Sequence, residues 1–219
     1  MKSIVAIGDS HASLYSNLPE RHRGVWNDSY LGDIFEPKWL GPYTFWRLCR
    51  EQKSFIDFDQ SKEYEVCGVK FNTKAEPGQE ILIIFGEIDV RCHILKFGYS
   101  KYKETVDNMV ALIEKYIESY NGKFKFHIQS IVPPIYRANF RDKVPLVPFV
   151  GSDEERRDVT LYFNEKLKEL CIKSNIGYFD IFDIYADNCN MMILEKSDAI
   201  VHAIKTPGLE ERIKEYFKL

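Results

Sequence analysis

The sequence predicts a three-layer α/β/α sandwich built on a central, mostly parallel sheet, and three observations predict it. Two apolar runs, Ile4-Val5-Ala6-Ile7 and Ile81-Leu82-Ile83-Ile84-Phe85, each stop at a glycine followed by an acid. Runs that are apolar at every position suit strands covered on both faces, as in a parallel sheet. Such runs alternate along the chain with segments of helical period, which implies parallel strands joined by right-handed crossovers. The chain has 219 residues and no linker-like composition, so a single domain over residues 1–219 is expected.

Each element has its own warrant. The first run ends at Gly8, where a residue without Cβ lets the backbone turn sharply, and it delivers Ser10 to the end of the sheet. Residues 12–40 have no clean period and carry Pro19, Gly24, Gly32 and Pro37, which reads as a long ordered loop near the site. Its aromatics Tyr15, Trp26, Tyr30 and Trp39 either pin the loop to the core or offer ring faces to a ligand. Gly41-Pro42 ahead of Tyr43 to Cys49 reads as a helix start, with proline tolerated at the first helical position and orphan amides facing outward. Between 53 and 79 the alternation of Tyr64, Val66 and Phe71 suggests one short strand before a Pro77-Gly78 turn. Tyr102, Val106, Met109, Ile113, Tyr116 and Tyr120 recur at steps of four and three, an amphipathic helix that stops at Asn121-Gly122. A strand is expected over 124–132, a proline-rich loop to Gly151, a helix over 153–174, a short strand over 176–182 and a closing helix over 209–217.

Composition narrows the function. Apolar residues make up 45% and charged residues 29%, which excludes a disordered chain. Lys plus Arg number 30 against 33 Asp plus Glu, and the basic residues are scattered, so neither nucleic acid nor an anionic membrane is an expected partner. The first apolar run meets Gly8 and Asp9 too soon for a secretory leader or a membrane span, so a cytoplasmic location is expected. The five cysteines lack a C-x-x-C pair and are expected reduced and mostly buried; no motif calls for a metal or an organic cofactor.

The chemistry-bearing residues collect beyond the predicted strand ends, where ligands bind in open α/β sheets. A serine becomes a nucleophile when a base takes its proton and donors hold the developing oxyanion, which makes Ser10 the first candidate. Asp9 and Ser10 are also ordinary turn residues. The segment Gly86-Glu87-Ile88-Asp89-Val90-Arg91-Cys92-His93 gathers four ionisable side chains besides the cysteine directly after a buried strand. Arg91 is either a multidentate donor to an oxyanion or sugar hydroxyl, oriented by Glu87 or Asp89, or half of a structural pair with one of them. Of the histidines, His127 falls in an apolar strand and His22 in a basic loop, which leaves His11, His93 and His202 at the edge.

Four blocks in order resemble the SGNH hydrolases, the GDSL lipase and esterase family: Gly8-Asp9-Ser10, Gly41 within Leu40-Gly41-Pro42, Gly86-Glu87-Ile88-Asp89, and Asp198 with His202. The third block has Ile88 where the family has asparagine, and Asp198 precedes His202 by four positions rather than three. The resemblance implies a flavodoxin-like fold with Ser10 as nucleophile, His202 as base and Asp198 as its orienting carboxylate. It also implies an oxyanion donor at the Gly41 amide; Glu87, Asp89, Arg91, His93 and His11 are expected as further oxyanion or substrate contacts because they are the polar side chains crowded at this edge, not because the family has them. The implied reaction is removal of a short acyl group, most simply acetyl, from a hydroxylated and possibly carbohydrate substrate. An O-acyltransferase using the same triad and a weakened glycan-binding domain are the alternatives.

Overall fold

A computed structural model of the chain describes residues 3–15, 34–66, 69–139, 148–198 and 202–219. Its centre is a five-stranded parallel sheet of β1 (Ile4–Gly8), β2 (Phe35–Trp39), β5 (Glu80–Ile84), β6 (Lys125–Gln129) and β7 (Gly177–Phe179), in the order β2-β1-β5-β6-β7. A separate antiparallel hairpin, β3 (Glu63–Val66) and β4 (Val69–Asn72), stands where a single strand was expected. The helices are α1 (Phe45–Glu51), α2 (Tyr102–Glu118), α3 (Asp153–Lys173), the short α4 (Phe182–Tyr185) and α5 (Pro207–Phe217).

Alternation along the strands divides the core into two layers. Val5 and Ile7 of β1, with Ile81 and Ile83 of β5, face α1, α2 and α3, packing on Phe45, Leu48, Val106, Met109, Ile113, Val159 and Phe163. Ile4 and Ala6, with Leu82 and Ile84, face the opposite way onto Tyr15, Tyr185, Leu209 and Ile213. This two-sided burial explains why β1 and β5 are apolar at every position. Each large aliphatic side chain so buried contributes about 1.5–3 kcal/mol. The helix starts follow from local chemistry: Ser152 and Glu155 form a reciprocal capping box on α3, and Thr206 with Pro207 opens α5.

One strand and one boundary depart from the sequence reading. β2 lies inside the stretch expected to be loop, because Pro37 and the charged Glu36 and Lys38 hide its strand pattern. A proline is tolerated there because β2 is an edge strand paired only with β1, and the buried Lys38 Nζ reaches the Asn72 carbonyl at 2.5 Å. The helix expected to open at Gly41-Pro42 instead begins at Phe45. Thr44 is its cap, with Oγ1 accepting from Arg47 N. The expectations for His22, Trp26 and Tyr30 lie outside the described residues. Cys49, Cys92 and Cys171 are buried free thiols and Cys189 is exposed. No helix among the described residues is long and apolar enough to cross a membrane.

Candidate active site

All five sheet strands are parallel, and their carboxyl ends are level: Gly8 pairs in register with Trp39 and with Ile84, and Gln129 with Phe179. Ser10 follows β1 by two residues, Gly41 follows β2 by two, and Glu87 follows β5 by three, so one edge carries them all. Gly8 is required at this point by space. A Cβ there would lie 1.8 Å from the Ile84 carbonyl oxygen, the atom that accepts the Asp9 N–H at 2.9 Å.

Beyond Gly8 the chain closes a tight turn. Asp9 Oδ1 accepts from the His11 backbone N–H at 2.9 Å and from the His11 ring Nδ1 at 3.2 Å, and Ala12 N–H bonds the Asp9 carbonyl at 3.0 Å. Asp9, His11 and Ala12 are buried, whereas Ser10 between them is half-buried and reachable. The His11 ring is enclosed by protein: its Nε2 accepts the Ala203 N–H at 3.4 Å, and its face meets the His202 ring with centroids 5.7 Å apart. Both ring nitrogens are thus occupied by protein partners, so His11 is not a substrate contact as the sequence reading had it. The signal for its placement was legible as an aspartate two residues before it, the Asx-turn spacing.

Asp198 and His202 meet despite their four-residue separation. Asp198 N–H donates to the His202 carbonyl at 2.9 Å, His202 N–H donates to Asp198 Oδ1 at 3.0 Å, and Ser197 and Ala203 form an antiparallel bridge outside them. His202 Nδ1 then lies 2.6 Å from Asp198 Oδ2, with both side chains about a fifth exposed (21% and 23%). A carboxylate at Nδ1 holds the proton there and leaves Nε2 with a lone pair.

The turn after β5 is differently committed. Arg91 Nε donates to Glu87 Oε1 at 2.6 Å, Nη2 to Glu87 Oε2 at 3.2 Å, and Nη1 to the Pro148 carbonyl at 3.0 Å. Burial would lower the arginine's pKa, but Glu87 outweighs it and raises it. The guanidinium fork therefore ties Glu87 to the loop beginning at Pro148, and Glu87 rather than Asp89 is its partner. Asp89 is completely buried and accepts from Phe45 N at 2.8 Å and Trp46 N at 3.1 Å. With Thr44 it satisfies the first three amides of α1, so those amides do not face a ligand, and Asp89 is a helix cap in place of the expected substrate contact. Burial pushes its pKa up to about 8, against the pull of those two amides and with Asp9 and Glu87 adding to it. His93, about a third exposed, has its Nδ1 3.8 Å from Asp89 Oδ1, and burial with Lys96 and Arg91 lowers its pKa. Residues 89–93 form one π-helical turn, a geometry frequent at functional sites.

Gly41 sits in the turn before α1 with φ of 90°, a left-handed value that favours glycine. Leu40 N–H closes onto the Gly8 carbonyl at 2.9 Å, which fastens this turn beside that of Ser10. Ile88 is half-buried between Glu87 and Asp89. His127, on the α5 face of β6, contacts Tyr216 OH at 3.0 Å and Glu80 at 3.2 Å, as a sheet-face histidine should. No group of metal-ligating side chains occurs among the described residues.

The fold defined by this sheet and its edge is that of the SGNH hydrolases. A GDSL-like lipase from Bacteroides thetaiotaomicron superposes with a TM-score of 0.51 at 10% identity, covering 99% of this chain and 86% of the lipase. An acetylxylan esterase from Geobacillus stearothermophilus superposes with a TM-score of 0.53 at 13% identity, covering 99% of this chain and 92% of the esterase. Forms of that esterase with an aspartate or a serine replaced by alanine are catalytic mutants. At these identities the likeness establishes the fold. No family model matches the sequence, and no curated protein matches it.

Proposed function

We propose that this protein is a serine ester hydrolase of the SGNH type. The observation that carries the reading is the Asp198–His202 pair, joined at 2.6 Å, in ring contact with the residue that follows Ser10. His202 Nε2 takes the Ser10 hydroxyl proton as Oγ attacks the ester carbonyl, and then returns it to the departing alcohol. Asp198 holds the imidazole tautomer and stabilises the imidazolium. The same ring next draws a proton from water, which attacks the acyl-serine, and returns it to Ser10 Oγ as the acyl–oxygen bond breaks and the acid leaves. The Gly41 N–H, beside the Ser10 turn, is the oxyanion donor.

The substrate reading is a short acyl ester, acetyl first, on a hydroxylated carbohydrate. The likeness to an acetylxylan esterase supports it. The test is labelling with a fluorophosphonate and mapping of the modified residue by mass spectrometry. Modification at Ser10, lost in Ser10→Ala, is expected, and the unlabelled enzyme should release acetate from acetylated xylo-oligosaccharides. A protein that stays unlabelled while binding such glycans would be a binding domain.

A further inference from the structure

We infer that His11 is a positioning residue, a second histidine that braces the His202–Ala203 segment by accepting the Ala203 N–H, and that the brace holds only while its ring is neutral. The inference rests on the reading of Ser10 and His202 given above. Asp9 Oδ1 receives both the backbone N–H and the Nδ1 of His11, which fixes the ring against β1. With a carboxylate at Nδ1 and a backbone donor at Nε2, a single neutral tautomer satisfies both partners. The Ala203 N–H that uses this lone pair follows His202 directly, and Ala203 also closes the bridge to Ser197. The ring thus fastens the base to the turn that carries the nucleophile, across 192 positions of sequence.

Protonation reverses the contact. An imidazolium carries N–H at both nitrogens, so Nε2 would face the Ala203 N–H donor to donor, and the segment would lose its anchor. The charged or titratable groups around the ring are Asp9 on its own turn, Glu87 after β5, and the Asp198–His202 pair. Burial lowers the His11 pKa, but Asp9, Glu87 and Asp198 outweigh it and raise it above the ordinary histidine value. Release of the brace therefore makes the position of the base depend on the protonation of His11.

Three full-length forms test this: wild type, His11→Phe and His11→Gln. Phenylalanine keeps the volume and loses both bonds, whereas the glutamine oxygen still accepts at the Nε2 position and does not titrate. In wild type, the hydrogen-exchange protection of the Ala203 amide should fall as pH drops through the raised pKa of His11 and the ring gains its proton. His11→Phe should lack that protection throughout and lose about 10- to 100-fold in kcat with KM little changed, since misplacing a catalytic group by about 1 Å has costs of that order. His11→Gln should keep protection at all pH values, and its pH profile should lose the ionisation that His11 contributes. Wild-type protection of Ala203 in folded His11→Phe would overturn the inference, as would a His11→Gln pH profile superposable on wild type. If His11→Phe does not fold, His11→Gln decides alone. Exchange at Ala203 is read without any substrate, so a failure of Ser10 to label would count against the proposed function and leave this result standing on its own.

Discussion

The turn after β1 and the turn after β5 lie side by side at one sheet edge and are both dense in polar groups, yet they use them in opposite ways. In the first, Asp9 and His11 are bonded to each other and to the backbone, and this leaves Ser10 reachable between them. In the second, the buried arginine and the two carboxylates are bonded within the protein, Arg91 to Glu87 and Pro148 and Asp89 to the start of α1, while His93 Nδ1 is buried without a hydrogen-bond partner among the described residues. Charge density behind a strand therefore does not distinguish a reacting group from a scaffold. What distinguishes them is which side chain is left at the surface: Ser10 in the first turn is half-buried, whereas Asp89 and Arg91 in the second are buried.

The contrast breaks most visibly if the first turn is not the reacting one. Ser10→Ala and His202→Ala should each lower kcat on p-nitrophenyl acetate by more than about 10³-fold, the scale of triad deletions, with the thermal melt within about 1 kcal/mol of wild type. Activity near wild type in either variant would remove that residue from the mechanism.

The second turn should answer in stability. Asp89→Asn keeps one acceptor oxygen and turns an NH₂ toward the other helix amide, costing about 1–3 kcal/mol. The pH dependence sharpens it. The Asp89 pKa is raised from 3.8 to about 8 in the folded protein, so the native state holds a proton that the unfolded chain has lost. Its stabilisation is present in acid and declines as pH rises from about 4 to about 8. Asparagine does not titrate, so the melting-temperature gap between wild type and variant should be widest near the acid end and narrow toward pH 8. A gap that stays constant or widens would mean that Asp89 is ionised throughout.

Arg91→Lys should cost less, about 1 kcal/mol, because a lysine keeps the charge opposite Glu87 and loses the fork that also holds the Pro148 carbonyl. Its kcat should stay within about threefold of wild type, a change worth under 1 kcal/mol. A kinetic loss with an unchanged melt would return Arg91 to the oxyanion.

How much of this was legible in the sequence follows from the range of the interactions. β1, β5, α2 and α3 were readable because burial on two faces or one writes a period into consecutive residues. β2 was not, since its place is set by pairing with β1 and by Lys38 reaching Asn72, and its own residues read as loop. The three residues assigned to acyl transfer were singled out from motif order, whereas the role of Asp89 depended on a helix start 44 residues away. The His11 to Ala203 contact likewise joins distant segments and has no local pattern. Only the Asp9-x-His11 spacing hinted that this ring would be held.

The smallest expected effect on stability concerns Ile88, and it tests whether the edge is one oxyanion donor short. The position stands where the resembling family carries asparagine, and its side chain is half-buried at the start of the π-helical turn. Arg91 does not fill the gap, because its fork is occupied by Glu87 and Pro148. An asparagine here keeps contact with solvent, so it leaves no buried polar group unsatisfied, and the melt should move by less than about 0.5 kcal/mol. A well-placed donor in an acyl-transfer site contributes about 10²–10³-fold to kcat. One introduced without the surrounding groups that would fix its rotamer realises only part of that, so Ile88→Asn should raise kcat by about two- to tenfold. The rise should appear in kcat and not in KM, because the donor meets charge that develops only in the transition state. An unchanged or lower kcat with the melt intact would show that the oxyanion is already fully held, and that the two turns divide their labour without any vacancy between them.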